Sequence, residues 1–164
     1  MIEVTQGEKE KLGALLDKHD IEALIARYKP QGLEVRFDVQ WLDRNALAAS
    51  FARSSTVGPY FITLSPKLLE WDFTDRIVFS TVILHELAHV IDRAQNWTKY
   101  VSVNPLDQSE TLEYEADDFV IAWGWRGGLI ETLRLTVARF REDGIPESMA
   151  DKRLSRFSNA SRHP

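Results

Sequence analysis

The stretch from residue 75 to residue 94 constrains the fold of this chain more than any other. Ile77, Val78, Phe79, Val82, Ile83, Leu84, Leu87, Val90 and Ile91 cover most of the faces of a helix drawn through it, and a helix apolar nearly all round is a buried one. Thr74 is placed to cap that helix, and Asp75 falls in its first turn, where the dipole favours a carboxylate. The same segment carries His85, Glu86, His89 and Asp92. Ionisable groups in a core helix are costly unless partners satisfy them, so this helix predicts both the centre of the fold and a site within it.

The remaining elements follow from periodicity. With 164 residues, 44% of them hydrophobic, the chain suits a single domain, 1–164, that buries a core without staples. The first thirty residues read as helix in one or two pieces. In the second, Asp20 is a candidate cap and Ile21, Leu24, Ile25 and Tyr28 recur at helical spacing before Pro30 and Gly32. Residues 33–41 alternate apolar and polar, the period of a half-buried strand, and 46–53 and 60–64 read as two more strands around a 54–59 turn. Beyond the buried helix, a loop over 96–105 leads to a helix at about 107–123, ended by the glycines at 124, 127 and 128. Helices over 129–142 and 146–157 come next, then a basic tail holding Arg153, Arg156 and Arg162, with 158–164 expected to be flexible. These readings predict an α+β fold in which a small, about three-stranded sheet packs on the buried helix and the C-terminal half is mainly helical.

His85 and His89 lie about 40° apart on a helix advancing ~100° per residue, so their imidazoles can converge on one ion. The chain has no cysteine, so a metal would be held by histidine and carboxylate. Zinc suits that set: it lowers the pKa of a coordinated water toward about 7 and polarises a carbonyl. Glu86, on the flank of the same face, is placed to act as general base without being a ligand. The alternative, that these are ordinary polar positions on an exposed face, conflicts with the apolar residues around them. A catalytic zinc needs a third ligand and one open position. The metzincin spacing would put that ligand at residue 95, which is Gln95. Downstream, Glu113-Tyr114-Glu115-Ala116-Asp117 lies on the next long helix. Glu115 is the fallback ligand, while Glu110, Glu115 and Asp118 otherwise suit a solvated face. Asp92, at i+3 from His89, is either a partner of a ligand imidazole or structural.

The His85-Glu86-Leu87-Ala88-His89 segment followed by Glu113, Ala116 and Asp117 resembles the gluzincin peptidases, in the group of the bacterial heat-shock membrane proteases, the prenyl-protein-processing proteases and their membrane-free minimal relatives. The resemblance covers roughly residues 60–125. It implies a zincin-like fold, one Zn(2+) ion held by His85, His89 and Glu113, and Asp117 orienting a ligand imidazole. Ala116 is small enough to let two helices share one ion. The function expected is hydrolysis of peptide bonds through a metal-activated water with Glu86 as general base. Two alternatives stand beside it: a catalytically silent zincin-like binding or regulatory module, and a zinc hydrolase of a non-peptide amide or a peptidoglycan cross-link.

The oxyanion donor is left open among Tyr114, Tyr100, Tyr60 and Arg126. Substrate backbone is expected to add to a sheet edge, 46–53 or 60–64. His19 and His163 read as bystanders, and Trp71, Trp97, Trp123 and Trp125 as packing residues. A net charge of −5 supplies no basic field for nucleic acid. The N-terminus has no signal-like pattern and no apolar run reaches membrane length, so the expectation is a cytoplasmic chain with a protein or peptide substrate, no nucleic acid and no membrane. A chain this small has little room for a specificity domain. Either its target is one protein, or it is restrained by a prosegment or by an inhibitory or regulatory partner.

Overall fold

A computed structural model describes residues 2–42, 46–52, 59–101, 110–145 and 148–159. The elements in chain order are α1 (Gln6–Lys18), α2 (Ile21–Tyr28), β1 (Val35–Val39), β2 (Ala48–Ala52), β3 (Tyr60–Leu64), 3-10 turns at Pro66–Leu69 and Trp71–Thr74, α3 (Arg76–Gln95), α4 (Trp97–Val101), α5 (Glu110–Ala122), α6 (Arg126–Glu142) and α7 (Met149–Asn159). The class is α+β and mostly helical, with a three-stranded mixed sheet ordered β1-β3-β2. β3 is central, parallel to β1 and antiparallel to β2. Its sequence explains the position: Tyr60, Ile62, Thr63 and Leu64 are buried with little alternation, the pattern of a strand covered on both faces. Residues 60–64 are therefore not an edge, and of the two candidate edges only β2 remains.

α3 runs through the middle of the molecule. Every residue from Val78 to Arg93 is buried, and the helix contacts β2 and β3 as well as α5 and α6. Its N-cap is Asp75, not Thr74: the Asp75 carboxylate accepts from the amides of Ile77 and Val78 at 2.9 and 3.3 Å, satisfying donors left open at a helix start. The Thr74 carbonyl instead accepts from His19 Nε2 at 2.9 Å, so His19 is a structural link between the α1–α2 corner and the start of α3. Asp20, the expected cap of α2, adopts a left-handed backbone (φ 53) without a side-chain cap bond.

The segment after α3 departs from the expected loop. α4 begins at Trp97, held by Lys99 Nζ, which donates to Asp92 Oδ2 at 3.1 Å and also contacts Glu115. Such tertiary ion pairs leave no periodic trace in sequence. Residues 102–109 lie outside the described residues, and with them the predicted start of the helix at 107; α5 is described from Glu110.

Gly124, at φ 88, ends α5 as expected. Gly127 and Gly128 end nothing: both lie in the first turn of α6. At Gly128 the reason is contact, because a Cβ there would meet Thr81 Oγ1 at 2.5 Å and Ile77 Cγ2 at 3.1 Å. A residue without a side chain lets α6 close onto α3. α7 includes residues 158 and 159, beyond the helix end expected at 157; residues 160–164, with Arg162 and His163, lie outside the described residues. No described helix is long and apolar enough to cross a membrane.

Candidate metal centre

His85 and His89, one turn apart on α3, meet Glu113 from α5. His85 Nε2 lies 3.1 Å from Glu113 Oε2, His89 Nε2 lies 3.2 Å from Glu113 Oε1, and the two Nε2 atoms are 3.1 Å apart. Ala116, buried one turn after Glu113 on α5, which packs on α3, supplies a small side chain consistent with such an approach. The fit to a metal can be tested on these distances. A tetrahedral ion with bonds of ~2.0–2.1 Å separates neighbouring ligand atoms by ~3.3–3.4 Å, close to the 3.1 Å between the two Nε2 atoms and the 3.1 and 3.2 Å from each of them to one oxygen of the Glu113 carboxylate. Two imidazole nitrogens aimed at each other beside a carboxylate also form a donor set that suits a shared cation. Among the described residues, His85, His89 and Glu113 are a group able to hold a metal ion.

Behind the triangle, His85 Nδ1 lies 3.1 Å from Asp117 Oδ1, the placement of a carboxylate that fixes an imidazole's tautomer and ring orientation. Asp117 is fully buried. It also receives Arg153 of α7 through two bonds, Nε to Oδ2 at 2.9 Å and Nη2 to Oδ1 at 2.6 Å. Arg153 Nη1 reaches Glu113 Oε2 at 3.2 Å. Its Nη2 is also 3.1 Å from His85 Nδ1; with that nitrogen protonated toward Asp117, this is a packing contact and not a hydrogen bond. Three carboxylates at the site, Glu86, Glu113 and Asp117, face one guanidinium. With His85 neutral, as a ligand imidazole must be, two negative charges are left, which a divalent cation would balance.

Glu86 is buried, and no described residue hydrogen-bonds its carboxylate. It lines a cavity of about 450 Å³ together with His85, Glu113 and Arg153. No protein-family model, no curated protein and no solved structure matches this chain. The site therefore rests on its own geometry.

Of the residues read from sequence, the structure brings together His85, Glu86, His89, Glu113 and Asp117. Asp92 is tied elsewhere, accepting from Asn96 Nδ2 at 2.8 Å and from Lys99. Glu115 contacts that same Lys99 and Asp118 pairs with Arg156 at 2.9 Å, so neither joins the triangle. Three of the four candidate oxyanion donors do not line the cavity: the Tyr114 hydroxyl donates to Glu110, Arg126 lies over the Phe157 ring at 5.4 Å, and Tyr60 is buried in β3. The Tyr100 side chain is outside what is described. Trp123 stacks on Tyr28 at 4.8 Å and Trp125 Nε1 donates to the Tyr28 hydroxyl at 3.1 Å, both packing roles.

Arg153 is the residue that sequence reasoning missed by assigning it to the tail. The available signal was its place on an amphipathic helix: Ala150, Leu154 and Phe157 mark the inner face of α7, and Arg153 falls beside them.

The charges are strongly coupled. Burial and Arg153 both oppose the imidazolium of His85, yet Glu113 and Asp117 outweigh them and raise its pKa from 6.5 to about 9. Burial likewise works against the Glu113 carboxylate, but His85 and His89 hold it well below the usual range. In the metal-free chain the raised His85 pKa contributes stability that is fully present below 6.5 and lost as pH rises through about 9. A metal held by His85 would reverse the trend, because it would compete with that proton. Apparent zinc affinity is expected to climb about tenfold per pH unit and level off above the His85 pKa. Competition with a chelator over a pH series, beside melting of the metal-free chain, measures both slopes; a zinc affinity flat with pH would contradict the assignment of His85 as a ligand.

Proposed function

We propose that this chain is a zinc-dependent metallopeptidase with a zincin-like fold of the gluzincin type, its metal held by His85, His89 and Glu113. The observation that carries the proposal is the convergence of His85 Nε2, His89 Nε2 and the two Glu113 carboxylate oxygens, with contacts of 3.1 to 3.2 Å, beside Glu86, a buried carboxylate with no hydrogen-bond partner among the described residues.

When bound, zinc supplies a Lewis acid that acidifies water and polarises a carbonyl. The chain's residues do the rest. Glu86 takes the proton of the attacking water and passes it to the leaving amine. Asp117 holds His85 in the tautomer that presents Nε2, and Arg153 holds Asp117. Among the described residues, the edge of β2 lies near the site and is available to substrate backbone. The Leu47 carbonyl accepts from the Ser65 amide, so by alternation the peptide groups of Ala48 and Ser50 face away from β3. Arg93 Nη1 already donates to the Ser50 carbonyl at 3.0 Å, which leaves the Ala48 end, next to the cavity, for an extended peptide.

Metal analysis of the purified protein tests this reading. The wild type is expected to carry one zinc per chain. Glu113→Ala is expected to weaken binding by more than the ~10–100-fold typical of losing an outer partner. A wild type that takes up no zinc, or a Glu113→Ala variant that binds it unchanged, would refute the site.

A further inference from the structure

A second cavity, of about 320 Å³, lies between α6 and α7 and shares no lining residue with the one at the metal triangle. Arg153 of α7 lines the first, and its neighbour Leu154 lines the second. Arg126, Ile130 and Arg134 come from α6, each four residues after the last and so stacked on one face of the helix. Leu154, Phe157 and Ser158 come from α7. Ile130, Leu154 and Phe157 are half-buried and give the groove an apolar floor, while both arginines are exposed.

The charge of this groove is unbalanced. On the same two helices Arg139, Arg141, Arg153 and Arg156 each pair with a carboxylate. Arg126 and Arg134 pair with none among the described residues, although Glu131 stands three positions before Arg134. Arg126 Cζ lies 5.4 Å from the centre of the Phe157 ring, within cation–π reach, which holds the guanidinium over the apolar floor without supplying a counter-ion.

The spacing decides what can fill the groove. Eight helical residues at ~1.5 Å each put the Cα atoms of Arg126 and Arg134 ~12 Å apart. An extended peptide advances ~3.3 Å per residue and turns alternate side chains to one face, so residues i and i+4 stand ~13 Å apart with i+2 between them on the same side. An acid at i, a large apolar residue at i+2 and an acid at i+4 thus match Arg126, Ile130 and Arg134 in order. The planar fork of a guanidinium suits a carboxylate, and an apolar side chain gains by leaving water.

We infer that the α6–α7 groove is a docking site for an extended acidic segment of a partner protein, of the pattern acid-x-large apolar-x-acid. The apolar side chain seats on Ile130, Leu154 and Phe157, and the two acids meet Arg126 and Arg134. The inference does not rest on the metal reading. Because the chain carries a net charge of −5, it repels such a segment as a whole, and the attraction is local to this groove.

The test titrates the full chain into a fluorescently labelled peptide, Gly-Asp-Ala-Phe-Ala-Asp-Gly, and reads anisotropy with and without zinc. Saturable binding is expected, the same in both conditions and weaker as salt rises. Replacing the peptide's phenylalanine with alanine is expected to weaken it by on the order of tenfold or more, and replacing both aspartates with asparagine by roughly severalfold. Arg134→Gln is expected to weaken binding by roughly severalfold as well. Arg126→Glu combined with Arg134→Glu is expected to abolish binding of the acidic peptide and to confer binding of its counterpart with lysines in place of the aspartates. Should a variant fold poorly, the peptide series on the wild-type chain carries the test. No saturable binding at millimolar peptide, or equal affinity across the series, overturns the inference. Binding that survives Arg134→Gln but is lost on adding a chelator would place the peptide at the metal centre and overturn it too. Phenylpropionate binding as tightly as the peptide would make the groove a small-acid site, which also overturns the docking assignment.

Discussion

Glu86→Gln is expected to bind zinc as tightly as the wild type and to lose peptide hydrolysis by on the order of 10²–10⁴-fold, the usual contribution of a positioned general base. The substitution keeps the shape of the side chain and removes its ability to accept a proton. Glu86 is buried beside the metal ligands yet has no hydrogen-bond partner among the described residues, so the change breaks no hydrogen bond among them and removes only a longer-range attraction to Arg153. Loss of activity with unchanged zinc content would therefore isolate the proton transfer from the metal site. The measurement pairs kcat/KM on a peptide substrate with metal content and a melting curve. Hydrolysis within a few-fold of wild type would remove Glu86 from the mechanism. A wild type that binds zinc stoichiometrically and cleaves none of a broad peptide library would favour the silent binding module instead.

How much of this site could be read in advance depended on whether each residue belonged to a local pattern. His85, Glu86 and His89 fall within one helical turn, and the apolar residues flanking them fix that turn in the core. Glu113 and Asp117 are likewise one turn apart, and the structure sets both against α3. Arg153 had no such signal, because its partners lie on other elements, 36 positions away in Asp117 and 68 in His85. The same limit applies to the fold. The three strands were each legible from alternation or apolar runs, but their order was not, since β3 enters between β1 and β2 through pairings that local sequence does not encode. Gly127 and Gly128 misled for a related reason: a glycine that ends a helix and one that allows two helices to touch look alike until the partner, here Thr81, is known.

The second large effect is expected at Arg153. Its guanidinium makes a two-point bond to Asp117, a carboxylate with no exposed surface. Removing one partner of a buried pair costs about 3–5 kcal/mol, and without Arg153 the buried Asp117 would keep, among the described residues, its contact with His85 Nδ1 at 3.1 Å. Arg153→Met, which retains much of the apolar stem, is thus expected to lower the melting temperature of the metal-free chain by ~6–20 °C. Arg153→Lys is expected to recover only part of this, because an ammonium cannot make the planar two-point bond. A purely structural role would end there. A positioning role predicts a second shift that packing alone would not produce. Arg153, next after burial, holds down the pKa of His85, so removing the cation raises that pKa above about 9 and moves the pH midpoint of zinc binding upward. A variant that melts early but binds zinc with the wild-type pH profile would make Arg153 a bolt between α7 and α5 and nothing more. A midpoint displaced to higher pH would show that α7 sets the charge balance of a site whose ligands it does not supply.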